Sequence, residues 1–314
     1  MGDNLSRARR GPTARVQEGC VGEALLVTHP LCGEPLLAEG VRRRGEQWAR
    51  GSSGAGHYPG PMARIPWEPS EWHPSIDSTN LEAARDPRPG RVVVADHQSG
   101  GLGRRGRSWT APPDTAVAIS AVLPAPGPDL IGWVPLVAGL SVVQALQESR
   151  YAVPAVLKWP NDVLVQEEGE WHKVCGVLAQ AIPDTPAGSV VVVGAGVNID
   201  QVRDQLPVAT ATSWRLSRGG GAPLPEGARE QLVADYLQRL ADLMGVLEED
   251  PERVRTAYRQ GCSTLGQEVA VHLPAGGTRT GRAVAVDQSG ALVVEGGGAR
   301  TVHVAGDVVH VRPA

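Results

Sequence analysis

Apolar residues follow two alternating patterns between about residues 67 and 264. Runs rich in β-branched residues predict β-strands at RVVVAD (91–96), AVAISAVL (116–123), VCGVLAQAI (174–182) and SVVVVGAGVNI (189–199). Apolar positions at helical spacing predict helices over 131–149 and 226–249, and IDSTNLEAAR (76–85) places Ser and Thr before a short helix. This order predicts an α+β fold with a mixed β-sheet and flanking helices.

A different pattern begins at about Gln267. The last 48 residues contain five short runs of alternating apolar and polar residues, separated by Gly-rich or Asp/Ser/Gly turns. This spacing predicts a small SH3-like β-barrel. We therefore expect a larger domain over 62–264 and a C-terminal domain over 265–314. Residues 1–61 are punctuated by Gly, Arg and Pro and predict a poorly ordered extension, so Met62 is a candidate for the true start.

Composition and charge exclude several classes of protein. Hydrophobic residues make up 41% of the 314 residues, as in ordinary globular proteins, and the net charge of −4 provides no general attraction to nucleic acid or membranes. No apolar run approaches the roughly 20 residues that a transmembrane helix needs. The four cysteines are scattered without the spacing of a metal site, which favours a reduced, cytoplasmic protein.

Lysine and asparagine are unusually rare in this chain. Of the 30 basic residues only Lys158 and Lys173 are lysines, and there are four asparagines in all. Arginine replaces lysine readily at solvated positions, but not where a compact point charge is needed. The two lysines, together with Asn80, Asn161 and Asn198, are therefore candidates for binding or chemistry.

The segment ADHQSGGLGRRGRSWTAPP (95–113) carries the strongest signal for ligand binding. It follows a strand and holds Gly101-x-Gly103-x-x-Gly106, which superficially matches a dinucleotide-binding fingerprint. A nicotinamide site is excluded because the loop runs into residues 107–113 and a Pro-Pro pair instead of opening an apolar helix. Glycines allow a backbone to wrap a ligand and arginines offer forked donors, so the loop predicts an anion-binding flap; the alternative is a solvated basic turn.

Three further segments carry polar residues at strand ends. They are LKWPNDVLV (157–165), HKVCGVLAQ (172–180) and GAGVNID (194–200). The proline of the first predicts an extended turn that presents Lys158, Asn161 and Asp162 together, whereas Lys173 precedes a strand and Asn198 ends one. Each asparagine has a purely structural alternative. Together the segments favour joining a carboxylate to a nucleotide phosphate, because they supply anion donors but neither a nucleophile triad nor a metal cage.

This ordered set of motifs resembles the biotin–protein ligase family, the biotin–[acetyl-CoA-carboxylase] ligases. The matching motifs, over about residues 70–312, are DSTN, HQSGGLGRRGRSW, LKWPNDVLV, HKVCGVLAQ, VGAGVNID, GCSTLGQEV, GRAVAVDQSGALVVE and AGDVVHVR. The resemblance implies a catalytic domain like that of class II aminoacyl-tRNA synthetases, followed by the SH3-like domain. It implies a cytoplasmic enzyme that uses ATP and Mg²⁺ to make biotinyl-5′-AMP and then biotinylates a lysine of a biotin carboxyl carrier protein.

The resemblance also implies roles for individual residues. Lys173, Arg104 and Asp162 are expected to be catalytic, with Lys173 at the biotin carboxylate and the α-phosphate. The residues expected to bind biotin are Ser78, Thr79, Asn80, Gln98, Leu102, Gly103, Arg104, Lys173 and Gly176. Those expected to bind the nucleotide are Arg104, Arg107, Trp109, Lys158, Asn161 and Asn198. No protein-held metal, membrane or nucleic-acid partner is expected, and a homodimer is left open.

Two alternatives and two departures accompany this resemblance. A lipoate– or octanoate–protein ligase is the nearest alternative, and a biotin-binding measurement separates the two. A DNA-binding repressor that responds to biotinyl-AMP would need a basic recognition helix in residues 1–61, where no such pattern is found.

Leu102 replaces the first Arg of the family's Gly-Arg-Gly-Arg, and Gln180 stands where Glu is usual. Trp214 is a candidate to stack on adenine, with simple packing as the alternative.

Overall fold

A computed structural model of the protein describes residues 65–273, 276–304 and 306–310. The extension expected over 1–61 and the proposed start at Met62 lie outside the described residues, so both stay predictions. The segment in which a DNA-binding repressor would need a recognition helix, residues 1–61, also lies outside the described residues, so that expectation stays a prediction as well.

A seven-stranded mixed sheet forms the larger part of the described fold. Its strands in chain order are β1 (Glu71–His73), β2 (Val92–Ala95), β3 (Ala116–Pro124), β4 (Ala155–Lys158), β5 (Asp162–Glu167), β6 (Glu170–Thr185) and β7 (Gly188–Asn198). Their spatial order is β1-β2-β3-β7-β6-β5-β4. Only the β1–β2 pair of this sheet is parallel. The four strands predicted from β-branched runs are confirmed as β2, β3, β6 and β7.

Five α-helices accompany this sheet in the part of the chain that the structure describes. They are α1 (Thr79–Arg85), α2 (Val134–Glu148), α3 (Trp214–Ser217), α4 (Ala228–Glu249) and α5 (Pro251–Gly261). The three predicted helices are confirmed as α1, α2 and α4, and Ser78 caps α1 as expected, since its side chain accepts a hydrogen bond from the backbone of Leu81. The patterns did not indicate α3 or α5.

Helix α2 is the centre of the core. It packs between the sheet and α4, and most of its residues are buried on all sides. The stretch Ile131–Glu148 is long and apolar enough to cross a membrane by length and composition, but 72% of it is buried inside the protein. Core helices pass the same test because both of their faces must be apolar.

The C-terminal part is a five-stranded antiparallel sheet. Its strands are β8 (Glu268–His272), β9 (Thr278–Val286), β10 (Leu292–Gly296), β11 (Ala299–His303) and β12 (Asp307–His310), in the spatial order β11-β10-β9-β8-β12. The five predicted strands are thus confirmed. Two buried tryptophans fasten this sheet to the rest of the fold, because Trp133 Nε1 donates to Gln288 O at 2.8 Å and Trp159 Nε1 donates to Gly290 O at 3.0 Å.

Candidate active site

The predicted flap forms one wall of a cleft. Leu102 and Ser108 make an isolated antiparallel bridge, and the Trp109 N–H donates to Gly101 O at 2.8 Å. Gly101 has no room for a side chain, since a Cβ there would lie 2.4 Å from the Trp109 carbonyl oxygen. The segment is therefore a closed loop with its own backbone pairing, and its role as an anion-binding flap stays a prediction.

The start of α1 also lines the cleft and is held by a buried network. The backbone N–H and the hydroxyl of Thr79 both donate to Gln98 Oε1, at 2.7 and 3.0 Å. Asn80 Nδ2 donates to Leu178 O at 3.3 Å, so Asn80 Oδ1 is the atom that accepts from Ser120 Oγ, at 2.6 Å. Because Gln98 Oε1 is already used twice, the Gln98 amide nitrogen is what this network leaves for a ligand.

Two glycines of β7 make room for the side chains around this network. A Cβ on Gly194 would lie 2.1 Å from Asn80 Oδ1, and one on Gly196 would lie 2.7 Å from Trp109 Cε2. Real Cβ atoms do not approach other atoms this closely, so Asn80 and Trp109 can occupy their positions only beside glycine. The small residues of GAGVN therefore admit protein side chains to the cleft wall.

Lys173 is a basic residue of the cleft lining. Its Nζ is 2.5 Å from Asp162 Oδ1, and its side chain remains 41% exposed. The backbone of Lys173 is fixed on both sides, because its N–H donates to Thr210 O and its carbonyl accepts from the Thr212 N–H, each at 2.8 Å. The strand thus fixes the backbone of Lys173 and the Asp162 carboxylate holds its ammonium, while the side chain stays accessible to solvent and to a ligand.

Arg104 and Asn161 join the flap to the sheet. Arg104 Nη1 donates to Asn161 Oδ1 at 3.1 Å, and Asn161 Nδ2 donates to Val177 O at 2.9 Å. The Val177 N–H donates back to Asn161 O at 2.8 Å, which pins the turn between β4 and β5 against β6. Asn161, which belongs to the same turn as Asp162, therefore holds the guanidinium of Arg104 at the cleft.

Asn198 and Lys158, both expected at the nucleotide, lie in different places. Asn198 lines the cleft, and its Nδ2 donates to Thr212 O at 2.9 Å. Lys158 is not among the lining residues; it ends β4 opposite Asp162 in the strand register. Its charge also acts on His310 of the C-terminal sheet, whose pKa falls to about 4, mainly through burial and secondarily through Lys158.

Trp214 and Cys175 are structural in this fold. Trp214 is buried, and its Nε1 donates to Tyr151 O at 2.9 Å, so the interpretation as packing is favoured over stacking on a base. Cys175 lies at the cleft wall, but burial raises the pKa of its thiol to about 12. A neutral buried thiol is neither a nucleophile nor a metal ligand at physiological pH. Gln180 is exposed and lies outside the cleft lining.

Most of the residues predicted from sequence meet in this one cleft. Those that line it are Ser78, Thr79, Asn80, Gln98, Leu102, Gly103, Arg104, Arg107, Trp109, Asn161, Lys173, Gly176 and Asn198. Asp162 reaches it only through Lys173, and Lys158 does not line it. Sequence reasoning missed Ser120 and the lining residues of 207–211. The one signal for Ser120 was a lone hydroxyl within an otherwise apolar strand.

The cleft lining thus combines a buried hydrogen-bonding network with basic side chains. Among residues 65–273, 276–304 and 306–310, no group of three or more His, Cys, Asp or Glu side chains is placed to hold a metal ion. These features define an α+β protein with a cleft for a small polar molecule that carries an anionic group.

Comparison with known proteins agrees with this class. The family model described as Biotin/lipoate A/B protein ligase family matches residues 72–198, and the Biotin protein ligase C terminal domain matches residues 264–311. The biotin–[acetyl-CoA-carboxylase] ligase of Mycobacterium tuberculosis is 34% identical over 229 residues, which are 71% of this chain and 80% of the relative. The ligase of the same name from Paracoccus denitrificans is 30% identical, over 74% of this chain and 96% of the relative.

Solved structures give the same result. The biotin protein ligase from Aquifex aeolicus in complex with biotin and ATP has a TM-score of 0.63 and 25% identity, covering 79% of this chain and all of that one. The chain belongs to the biotin protein ligase family, within the wider group of biotin and lipoate ligases.

Proposed function

We propose that this protein activates biotin with ATP to form biotinyl-5′-AMP and transfers the biotin to a lysine of a biotin carboxyl carrier domain, such as that of acetyl-CoA carboxylase. The observation that carries the proposal is the convergence of Lys173 and Arg104 on the same cleft that Thr79 and Gln98 line. The names of the ligases from Mycobacterium tuberculosis and Paracoccus denitrificans support it.

In the first step, a carboxylate oxygen of biotin attacks the α-phosphorus of ATP and pyrophosphate leaves. Two anions must approach each other, so the step depends on donors that are already in position. Lys173 supplies a compact ammonium to the carboxylate and the α-phosphate, and Arg104 supplies a forked donor from the flap. The Ser78–Asn80 segment and Gln98 hold the ureido ring, with Leu102, Gly103 and Gly176 along the chain of the substrate.

In the second step, the ε-amine of the carrier lysine attacks the carbonyl carbon of the mixed anhydride and AMP leaves with the bonding electrons. The incoming ammonium must first lose a proton, which passes to solvent. We assign the orientation of the resulting amine to Asp162, whose carboxylate lies 2.5 Å from Nζ of Lys173, the group proposed to meet the biotin carboxylate. Arg107, Trp109, Asn161 and Asn198 serve the nucleotide, and Lys158 would act on it only from outside the cleft lining.

We propose that Mg²⁺ enters the cleft as an ion carried by ATP. Mg²⁺ commonly binds through one or two carboxylates together with substrate phosphates, and Asp162, which is paired with Lys173, would be the carboxylate that contacts it. When bound, the ion would neutralise phosphate charge during adenylation. We further propose that the C-terminal sheet is an SH3-like barrel, that the larger domain (62–264) is related to class II aminoacyl-tRNA synthetases, and that the protein acts in the cytoplasm. The homodimer stays an open prediction.

The test is pyrophosphate exchange into ATP, measured with Mg²⁺ and with biotin, lipoate or no acid. Exchange that depends on biotin supports the proposal, since it reports formation and reversal of the acyl-adenylate. Exchange that depends on lipoate instead would assign the protein to the lipoate branch, and no exchange with either acid would overturn the proposed chemistry. Mass spectrometry of a biotin carboxyl carrier domain incubated with enzyme, biotin and ATP then tests the transfer step.

A further inference from the structure

Helix α1 carries the residues proposed to meet biotin, yet its apolar contact with the sheet is slight. The helix has seven residues, and its buried apolar residue is Ala83, which packs among valines of β2, β3 and β7. A helix of two turns is unstable without tertiary contacts. The methyl groups of Ala83 and the partly buried Ala84 give little resistance to sliding along the helix axis on a surface of valines, so polar contacts must set the position of α1.

Arg91 makes such contacts at the C-terminal end of α1. The residue is 5% exposed, and its guanidinium makes five hydrogen bonds. Nε and Nη2 bind the two carboxylate oxygens of Glu71 on β1, each at 2.9 Å. Nη1 donates to Glu82 O at 2.9 Å and to Asp86 O at 3.3 Å, and Nη2 also donates to Glu82 Oε1 at 3.0 Å.

These five bonds use every N–H of the guanidinium. Two of them satisfy backbone carbonyls at the end of α1, which have no partner within the helix itself. Of the other three, one binds the Glu82 side chain of α1 and two bind Glu71 of β1, whose pKa is lowered chiefly by its hydrogen bond to Arg91. Lysine could not replace this arrangement, since an ammonium has three donors and no fixed fork.

The opposite end of α1 is the end that faces the cleft. There Thr79 is bound to Gln98, and Asn80 is bound to Ser120. Seven helical residues span only about 10 Å, and a helix this short moves as a rigid body. A shift at the Arg91 end therefore displaces Ser78, Thr79 and Asn80 by a similar distance.

We infer that Arg91 is a positioning residue for biotin: by clamping the C-terminal end of α1 to β1, it sets where the other end of the helix presents its polar groups to the ureido ring. The inference rests on the proposed function. Arg91 is not among the residues that line the cleft and acts only through α1. Its loss should therefore weaken biotin binding selectively and leave the nucleotide end of the cleft unchanged.

The experiment compares the full-length wild type with Arg91→Lys and with the control Arg88→Lys. Arg88 lies nearby, but its side chain is 51% exposed and binds the carboxylates of Glu68 and Asp86, with no bond to a backbone carbonyl at the end of α1. The measurements are the Kd of biotin by calorimetry, the KM of ATP at saturating biotin in pyrophosphate exchange, and Tm. For Arg91→Lys we expect the biotin Kd to rise about tenfold, with the KM of ATP within about twofold, whereas Arg88→Lys should change neither constant.

Glu71→Gln provides a second variant if Arg91→Lys yields little folded protein. It keeps the shape of the partner, removes its charge and should raise the biotin Kd in the same direction by a smaller factor. An unchanged biotin Kd in folded Arg91→Lys protein would overturn the inference, and so would an equal rise in both constants, which indicates general loosening. A wild type that binds no biotin would instead refute the proposed function, and the inference with it.

Discussion

The substitution Gly194→Ala tests whether the buried network at the start of α1 depends on the absence of a side chain in β7. The added Cβ would lie 2.1 Å from Asn80 Oδ1, more than 1 Å inside normal contact. The backbones of α1 and β7 are well fixed, so the Asn80 side chain is the part that must move. Rotation of that side chain breaks its bonds to Ser120 and Leu178.

The cost follows from those two hydrogen bonds. A buried hydrogen bond contributes about 0.5–1.5 kcal/mol, and an acceptor left buried without a donor costs somewhat more, so we expect a loss of about 2 kcal/mol in the free energy of unfolding. For a fold of this size, that loss corresponds to a fall in Tm of roughly 4–8 °C. The displaced Asn80 side chain has only the cleft to enter, so the biotin Kd should rise about tenfold or more.

Calorimetry and thermal unfolding provide the two measurements, with Gly127→Ala as the matched control. Gly127 has ordinary backbone angles, and a Cβ added there would meet no atom within 4 Å, so alanine should leave both quantities unchanged or raise Tm slightly. A Gly194→Ala protein with the wild-type Tm and the wild-type biotin Kd would refute the argued geometry of Asn80.

Three further predictions follow from other parts of the cleft and the C-terminal sheet. Lys173→Ala should lower biotin-dependent pyrophosphate exchange about a hundredfold or more while the circular dichroism spectrum is unchanged, and near-wild-type turnover would contradict the role of Lys173. Between pH 6.5 and 4 the unfolded chain binds a proton at His310 that the folded chain does not, so stability measured by urea unfolding should fall as the pH falls, by up to about 3 kcal/mol, and His310→Gln should flatten this dependence. The thiol of Cys175 should resist iodoacetamide at pH 8 until the protein is unfolded, and rapid labelling of Cys175 itself in the folded protein, located by peptide mass spectrometry, would contradict its burial.

Local signals explain why the main elements could be predicted. Because β2, β3 and β7 are buried, they are near-continuous runs of apolar, often β-branched residues, and strand propensity alone identifies them. Ser78 could be identified as a helix cap because capping involves only the next few residues. Helix α5 escaped prediction because it has only two buried apolar residues, Val254 and Tyr258, and follows α4 after a single residue at Asp250.

The cleft was predictable only as far as its residues have distinctive chemistry. Rare lysines and asparagines and a Gly-Arg flap identify candidates, but the contacts between them depend on strand order. Ser120 meets Asn80 because α1 packs against β3 in the folded sheet, although the two residues are 40 positions apart in the chain. Arg91 has no signal in the sequence that separates it from the many surface arginines, since its importance lies entirely in what surrounds it.

The replacement of the family's arginine by Leu102 has a physical account in this structure. The side chain of Leu102 is 46% exposed, while its backbone bridges to Ser108 and closes the flap loop. A role carried by the backbone tolerates leucine, and the flap keeps its cationic donor in Arg104, which reaches the cleft through Asn161. The flap of this protein therefore presents an apolar side chain and an arginine side by side along one cleft wall, as suits a substrate with an aliphatic chain that ends in a carboxylate.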